Sequence, residues 1–247
     1  MRTYIYLTFI QIKIVLRNRS GLFWTVLMPV LVYVAISLLP INRFLNSDVP
    51  YAHYLLPGVV AMTLMQTGIY TLAYWFIDFR ARGVMKRFMA TPLTKSQLII
   101  SVLVSRLFVM VLQAGMLTLL GKIIFHAPFS GNVISTIIVI LIGGSMFLLI
   151  GLLISTAADT YESAAPITAA VGLPMTFLGN IFYPVSSLPH AFQVFSKFLP
   201  ITPFAEALRN LYLHAFSFGE IWQPILIMLC WLVGLLLLVI WRFRLEE

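Results

Sequence analysis

The sequence predicts an all-α integral membrane protein with six transmembrane helices. An interfacial helix precedes the first span, a basic helical loop follows the second, and short re-entrant helices precede the last. Three observations carry this. Of 247 residues, 61% are hydrophobic and only 10% are charged, and the mean hydropathy is +0.99, which leaves too little polar surface for a globule in water. The apolar residues form continuous runs of about 20, the length a helix needs to cross hydrocarbon, not the short alternating strands of a barrel. With the exception of Arg106, the Lys and Arg residues punctuate the runs and do not sit within them. The net charge of +8 therefore does not describe a nucleic-acid surface, which gathers its basic residues on one soluble face.

Residues 1–20 read as an amphipathic helix in the membrane interface. Tyr4, Ile5, Phe9, Ile12 and Leu16 lie to one side, with Lys13, Arg17 and Arg19 available to the other. Those three charges also break any apolar core of a signal peptide. A break at Asn18 to Gly21 turns the chain into the first span, 21–41, and the second follows at 54–77. The loop 80–96 is densely basic, yet Val84, Met85, Phe88 and Met89 recur at helical spacing, so it has a face to bury as well as charge to solvate. Further spans are read at 98–121, 132–156, 162–182 and 221–241. The fifth, with Pro166, Gly172, Pro174 and Gly179, is expected to be kinked. Within 183–218, two apolar stretches, about 186–199 and 203–216, bounded by Pro184, Pro189, Pro200 and Pro203, are too short to span and read as short helices dipping into the outer leaflet.

Placing both termini in the cytoplasm puts Lys or Arg at 2, 13, 17, 19, 80, 82, 86, 87, 95, 242 and 244 on the inner side. Only Arg43, Lys122, Lys197 and Arg209 fall outside, with Arg106 left inside a span. This bias sets the orientation and predicts a multi-pass protein of the cytoplasmic membrane.

No catalytic pattern emerges. Gly121-Lys122 lacks the Gly-x4-Gly-Lys-Ser/Thr spacing of a phosphate loop, and Gly144-Ser145 lacks the glycines of a nucleophile elbow. His53, His126, His190 and His214 are scattered through outer segments, so no metal site is expected. The single cysteine, Cys230, lies in an apolar run where burial is expected. Asp78, Asp159 and Glu162 sit at span ends, not inside the spans where an ion relay needs carboxylates. Mild polarity remains in the membrane. Thr63, Gln66, Thr67 and Thr71 in the second span, and Gln113 in the third, are candidates for a substrate path or for bonds between helices. Glu206 and Arg209, spaced i to i+3, are placed to pair on one face of a short helix.

The order of an interfacial leader, Arg80-Ala-Arg-Gly83 with Lys86-Arg-Phe-Met-Ala90-Thr-Pro92-Leu, and late Gly179-Asn-Ile-Phe-Tyr-Pro184 and Leu199-Pro-Ile-Thr-Pro203-Phe-Ala-Glu206-Ala-Leu-Arg209 motifs resembles the permease subunits of ATP-binding-cassette exporters, type-2 family. The resemblance covers the whole chain as one permease domain. It implies an elbow helix over 1–20 and a coupling helix at 84–94 that docks on a separate ATPase subunit holding ATP and Mg. A second permease half, identical or different, is implied as well. The docking candidates are Arg80, Arg82, Gly83, Val84, Met85, Lys86, Arg87, Phe88 and Met89. A channel needs charge rings or filter loops and an intramembrane enzyme needs a nucleophile or metal cluster, and neither pattern is present. The expected cargo is amphipathic or hydrophobic (a drug, antibiotic or lipid), with a lipid-linked glycan as the alternative.

Overall fold

A computed structural model describes residues 2–39, 49–84 and 94–244, and these are all-helical. In chain order the α-helices are α1 (Arg2–Arg17), α2 (Arg19–Ser37), α3 (Tyr51–Ala81), α4 (Lys95–Phe125), α5 (Val133–Ala157), α6 (Tyr161–Leu178), α7 (His190–Lys197), α8 (Ile201–His214) and α9 (Trp222–Arg244), with a 3-10 turn at Val185–Ser187 before α7. Their starts are written in the sequence. The predicted break falls at Asn18, whose side chain caps α2 by accepting from the Gly21 amide at 3.0 Å. Thr94 and Gln97 close a capping box on α4, and Thr160 and Ser163 close one on α6.

The long helix α3 is the axis of the bundle. Of its most apolar window 83% is buried, against 12% for α2 at the periphery. It packs most extensively on α5, and small residues set the approach. A Cβ on Gly68 would lie 2.6 Å from the Phe147 Cβ, and one on Gly151 would lie 2.6 Å from the carbonyl oxygens of Gly68 and Ile69. The two backbones therefore touch, as membrane helices do where small residues allow it. Helix α4 runs antiparallel to α3: its last residues meet the start of α3, where the His53 ring lies 3.1 Å from the Phe125 carbonyl. The outer faces of α2, α4 and α9 expose large apolar side chains, among them Phe23, Trp24, Phe108, Leu119, Leu237 and Trp241. In water such a surface fails; against lipid it is the expected solution.

Among the described residues five helices are long and apolar enough to cross a membrane: α2, α3, α4 over Ser96–Phe125, α5, and α9 over Trp222–Arg242. The sequence count of six includes 162–182. Helix α6 at that place has only 18 residues, begins with Tyr161-Glu162-Ser163 and carries Pro166 and Pro174, so it is both shorter and less apolar than the rest. It still runs antiparallel along α3. The Tyr161 ring lies 5.6 Å from that of Tyr74, whereas at the other end the Tyr51 hydroxyl donates to the Phe182 carbonyl at 2.8 Å.

The two short helices expected near 186–199 and 203–216 appear as α7 and α8. Helix α8 is not superficial: Ile201, Phe204, Ala205, Leu208, Leu211 and Tyr212 are buried against α3, α5 and α9. The Tyr212 hydroxyl lies 2.6 Å from that of Thr118 on α4, which ties the short helix to a long one. The expectation that Cys230 is buried is corrected, because it lies exposed on the outer face of α9. An apolar run in a membrane helix does not say which flank faces lipid.

Candidate functional site

The basic loop leaves α3 through Arg80, Arg82, Gly83 and Val84. Gly83 has φ +64°, and its amide donates to the Arg80 carbonyl at 2.9 Å. It is the left-handed residue that stops a helix, and an L side chain there is strained. The Arg80 guanidinium donates to the Ala158 carbonyl at 2.8 Å and to the Ser155 carbonyl, with Asp159 3.6 Å away. Its charge therefore closes the C-terminus of α5, while one third of the side chain stays exposed. Arg82 pairs with Asp78 at 2.8 Å on the exposed surface. Met85, Lys86, Arg87, Phe88 and Met89 lie outside the described residues.

The polar residues of α3 divide. Thr63 is buried and donates to the Val59 carbonyl at 2.7 Å within its own helix, and it also lines a groove shared with Gln66. Thr67 and Thr71 make no hydrogen bond among the described residues, and both line an open cavity of about 490 Å³ between α1, α2, α3 and α4. An adjoining groove of about 290 Å³, walled by Trp24, Met28 and Pro29, brings Gln66 to the same side. Gln113 is not part of this. It faces a separate apolar cavity of about 570 Å³ between α2 and α4, and its amide has no partner among the described residues. Sequence reasoning left Arg106 merely inside a span. It is buried, its Nε has no hydrogen-bond partner among the described residues, and it lines the 490 Å³ cavity with Tyr70, Tyr74 and Asp78. The signal was available, since a cation inside a span marks a site by default.

At the opposite end of the bundle, Glu206 and Arg209 line one cavity of about 380 Å³, but the expected ion pair between them is absent. Glu206 points out to the exposed face. Arg209 is buried, stacks on the Tyr54 ring at 3.9 Å and donates to the Asn180 carbonyl at 2.7 Å. Asn180 has φ +60° at the break after α6, so the guanidinium satisfies carbonyls that the ended helix leaves unpaired. Burial draws the Arg209 guanidinium below the ordinary arginine range, and Tyr54 and Glu206 draw it back. Spacing of i to i+3 permits a pair, but helix-end carbonyls competed successfully for the cation.

Residues 43–241 match the family model described as ABC-2 family transporter protein. The chain belongs to the ABC-2 transporter family. Among curated relatives, the Bacillus subtilis protein named "Putative transport permease YvfS" is 25% identical over 245 residues, covering 96% of this chain and 95% of that one. The Escherichia coli "Probable multidrug ABC transporter permease YbhR" is 24% identical over 189 residues, covering 76% of this chain and 51% of the relative. "ABC transporter G family member 20" of Dictyostelium discoideum is 24% identical over 201 residues, covering 79% of this chain and 27% of the relative. This ABC-2 permease thus spans about half or less of the length of the last two, and nearly all of the first. It is a multi-pass membrane subunit of an ABC transporter. Among the described residues no cluster of His, Cys, Asp and Glu has the form of a metal site.

Proposed function

We propose that this chain is the membrane-spanning half of an ATP-driven exporter that moves an amphipathic or hydrophobic cargo outward across the cytoplasmic membrane. ATP and Mg are held by a separate ATPase subunit, and a second permease half, identical or different, completes the pathway. Both termini face the cytoplasm, α1 lies in the interface as an elbow, and loop 80–96 carries the coupling helix that docks on the ATPase. The observation that carries this reading is the family match over 43–241 together with the basic loop rooted on α5 through Arg80. A docked loop tied to the end of a long helix passes a push directly to the bundle. The name of the YbhR relative favours a drug-like cargo.

Helix α6 and the segment after it support a sixth crossing. Its contacts run from Tyr74 to Tyr54 on α3, a stretch of helix that rises about 30 Å, the thickness of the hydrocarbon core. Crossing there returns α7 and α8 to the outer side as re-entrant helices and lets α9 end inside. Burial of α8 against protein is what non-spanning backbone at membrane depth requires.

The test is co-expression with the ATPase and preparation of inside-out vesicles. ATP-dependent uptake of a fluorescent amphiphile, abolished when the ATPase lacks its phosphate-loop lysine, is the expected result. Uptake independent of ATP contradicts the proposal.

A further inference from the structure

The cavity around Arg106 has a composition that an apolar-cargo pathway does not need. Arg106 lies eleven residues into α4, about 16 Å from the start of that helix, and 8% of its surface is exposed. Its Nε is buried without a partner, and no ion pair to Arg106 occurs among the described residues. An unpaired guanidinium at that depth is costly unless something else completes it. The cavity it lines, about 490 Å³, falls in the size range of small-molecule sites. Around it stand the hydroxyls of Thr67 and Thr71, which bond no other group among the described residues, and the rings of Tyr70, Tyr74 and Trp75. At the mouth, Asp78 is already paired with Arg82, so the cavity holds two guanidiniums against one carboxylate. Cation, free hydroxyl donors and aromatic walls are the complement of an anionic head on an apolar body.

We propose that this cavity is a binding site for an amphiphile with an anionic head, a phosphate or carboxylate, with Arg106 as the charged anchor. Thr67 and Thr71 donate to the head, and the aromatic wall receives the first part of the chain. The inference rests on the exporter reading for its purpose, but not for its test, because binding needs neither ATP nor a partner.

The purified chain in nanodiscs is titrated with dodecyl phosphate, dodecanol and inorganic phosphate, and binding is followed by the part of the tryptophan fluorescence that Trp75→Phe removes, Trp75 standing in the cavity wall. Wild type should bind dodecyl phosphate at least 10-fold more tightly than dodecanol. Arg106→Gln should weaken dodecyl phosphate binding by about 10- to 100-fold, the equivalent of one charged hydrogen-bonded contact, and leave dodecanol unchanged. Arg106→Lys, which keeps the charge, should retain most of the affinity. Should Arg106→Gln fail to insert, Asp78→Asn gives an independent reading, since removing the carboxylate should tighten phosphate binding several-fold. Equal affinity for dodecanol and dodecyl phosphate, or no effect of either variant, overturns the site. Inorganic phosphate binding as tightly as dodecyl phosphate overturns the amphiphile and leaves a bare anion site. Binding as expected with no ATP-driven transport of the compound keeps the site and removes the exporter reading.

Discussion

Replacing Arg80 with Met should destabilise the bundle far more than replacing either of its charged neighbours. The guanidinium makes two charge-assisted hydrogen bonds to the last turn of α5, each worth about 1.5–3 kcal/mol when its partner is buried. One third of the side chain is exposed, so the lower end of that range applies, and favourable charge at a helix C-terminus adds about 0.3–1 kcal/mol. Asp159, 94% exposed at 3.6 Å, contributes little because surface pairs of this kind are worth at most about 1 kcal/mol. The total for Arg80→Met is about 3–4 kcal/mol, or a fall in melting temperature of roughly 6–16 °C for a chain of this size. Asp159→Asn and Arg82→Met, both at the exposed rim, should each shift it by no more than about 2 °C. Thermal unfolding in detergent gives the three numbers, and hydrogen exchange should rise at the C-terminal amides of α5 in the Arg80 variant alone. Equal melting of the Arg80 and Arg82 variants would mean that the carbonyl contacts carry nothing beyond a surface charge.

Other outcomes follow from the same geometry. Gly83→Ala should cost about 1 kcal/mol by strain alone, since its φ is +64° and a Cβ there meets nothing within 4 Å; Gly83→Asn, which tolerates that conformation, should recover most of the loss in the same melting assay. Arg209→Met should destabilise by about 2 kcal/mol or more by stranding the helix-end carbonyls of Asn180 and its neighbour, whereas Glu206→Ala should change the melting temperature by under about 2 °C, a contrast that a true pair would not show. In a Cys230→Ala background, a cysteine at Ser217 should react with an impermeant thiol reagent in intact cells and one at Ser96 should not; both positions are exposed, so labelling at Ser96 alone inverts the topology.

Much of this architecture is legible in the sequence, and the reasons are specific. Apolar runs of span length locate α2, α3, α4, α5 and α9 because hydrocarbon leaves a backbone no alternative to the helix. Asn18, Thr94 and Thr160 mark starts because each is a capping side chain at a polar junction. The prolines at 189, 200 and 203 mark the short helices. What the sequence does not carry is orientation around each helix axis. Cys230 and Phe147 both sit in apolar runs, yet one faces outward and the other is in the core. In α3, α4 and α5 the hydrophobicity is nearly uniform around the helix, so no periodic stripe shows which side is inside. The same limit hid the partners of Arg80, Arg106 and Arg209. Each was visible as a charge, but its acceptors are backbone carbonyls or a cavity that only the folded bundle assembles.

The proposed coupling of this permease to a separate ATPase through loop 80–96 is tested most directly at Phe88. An apolar anchor seated in a partner's cleft acts as a hot spot, so Phe88→Ala should cost on the order of 2 kcal/mol of docking free energy, a roughly 30-fold weaker association. Co-expressed with its ATPase, the variant should insert at wild-type levels yet lose most of the co-purified ATPase and the cargo-stimulated hydrolysis. Normal insertion with both signals at wild-type levels contradicts the coupling role.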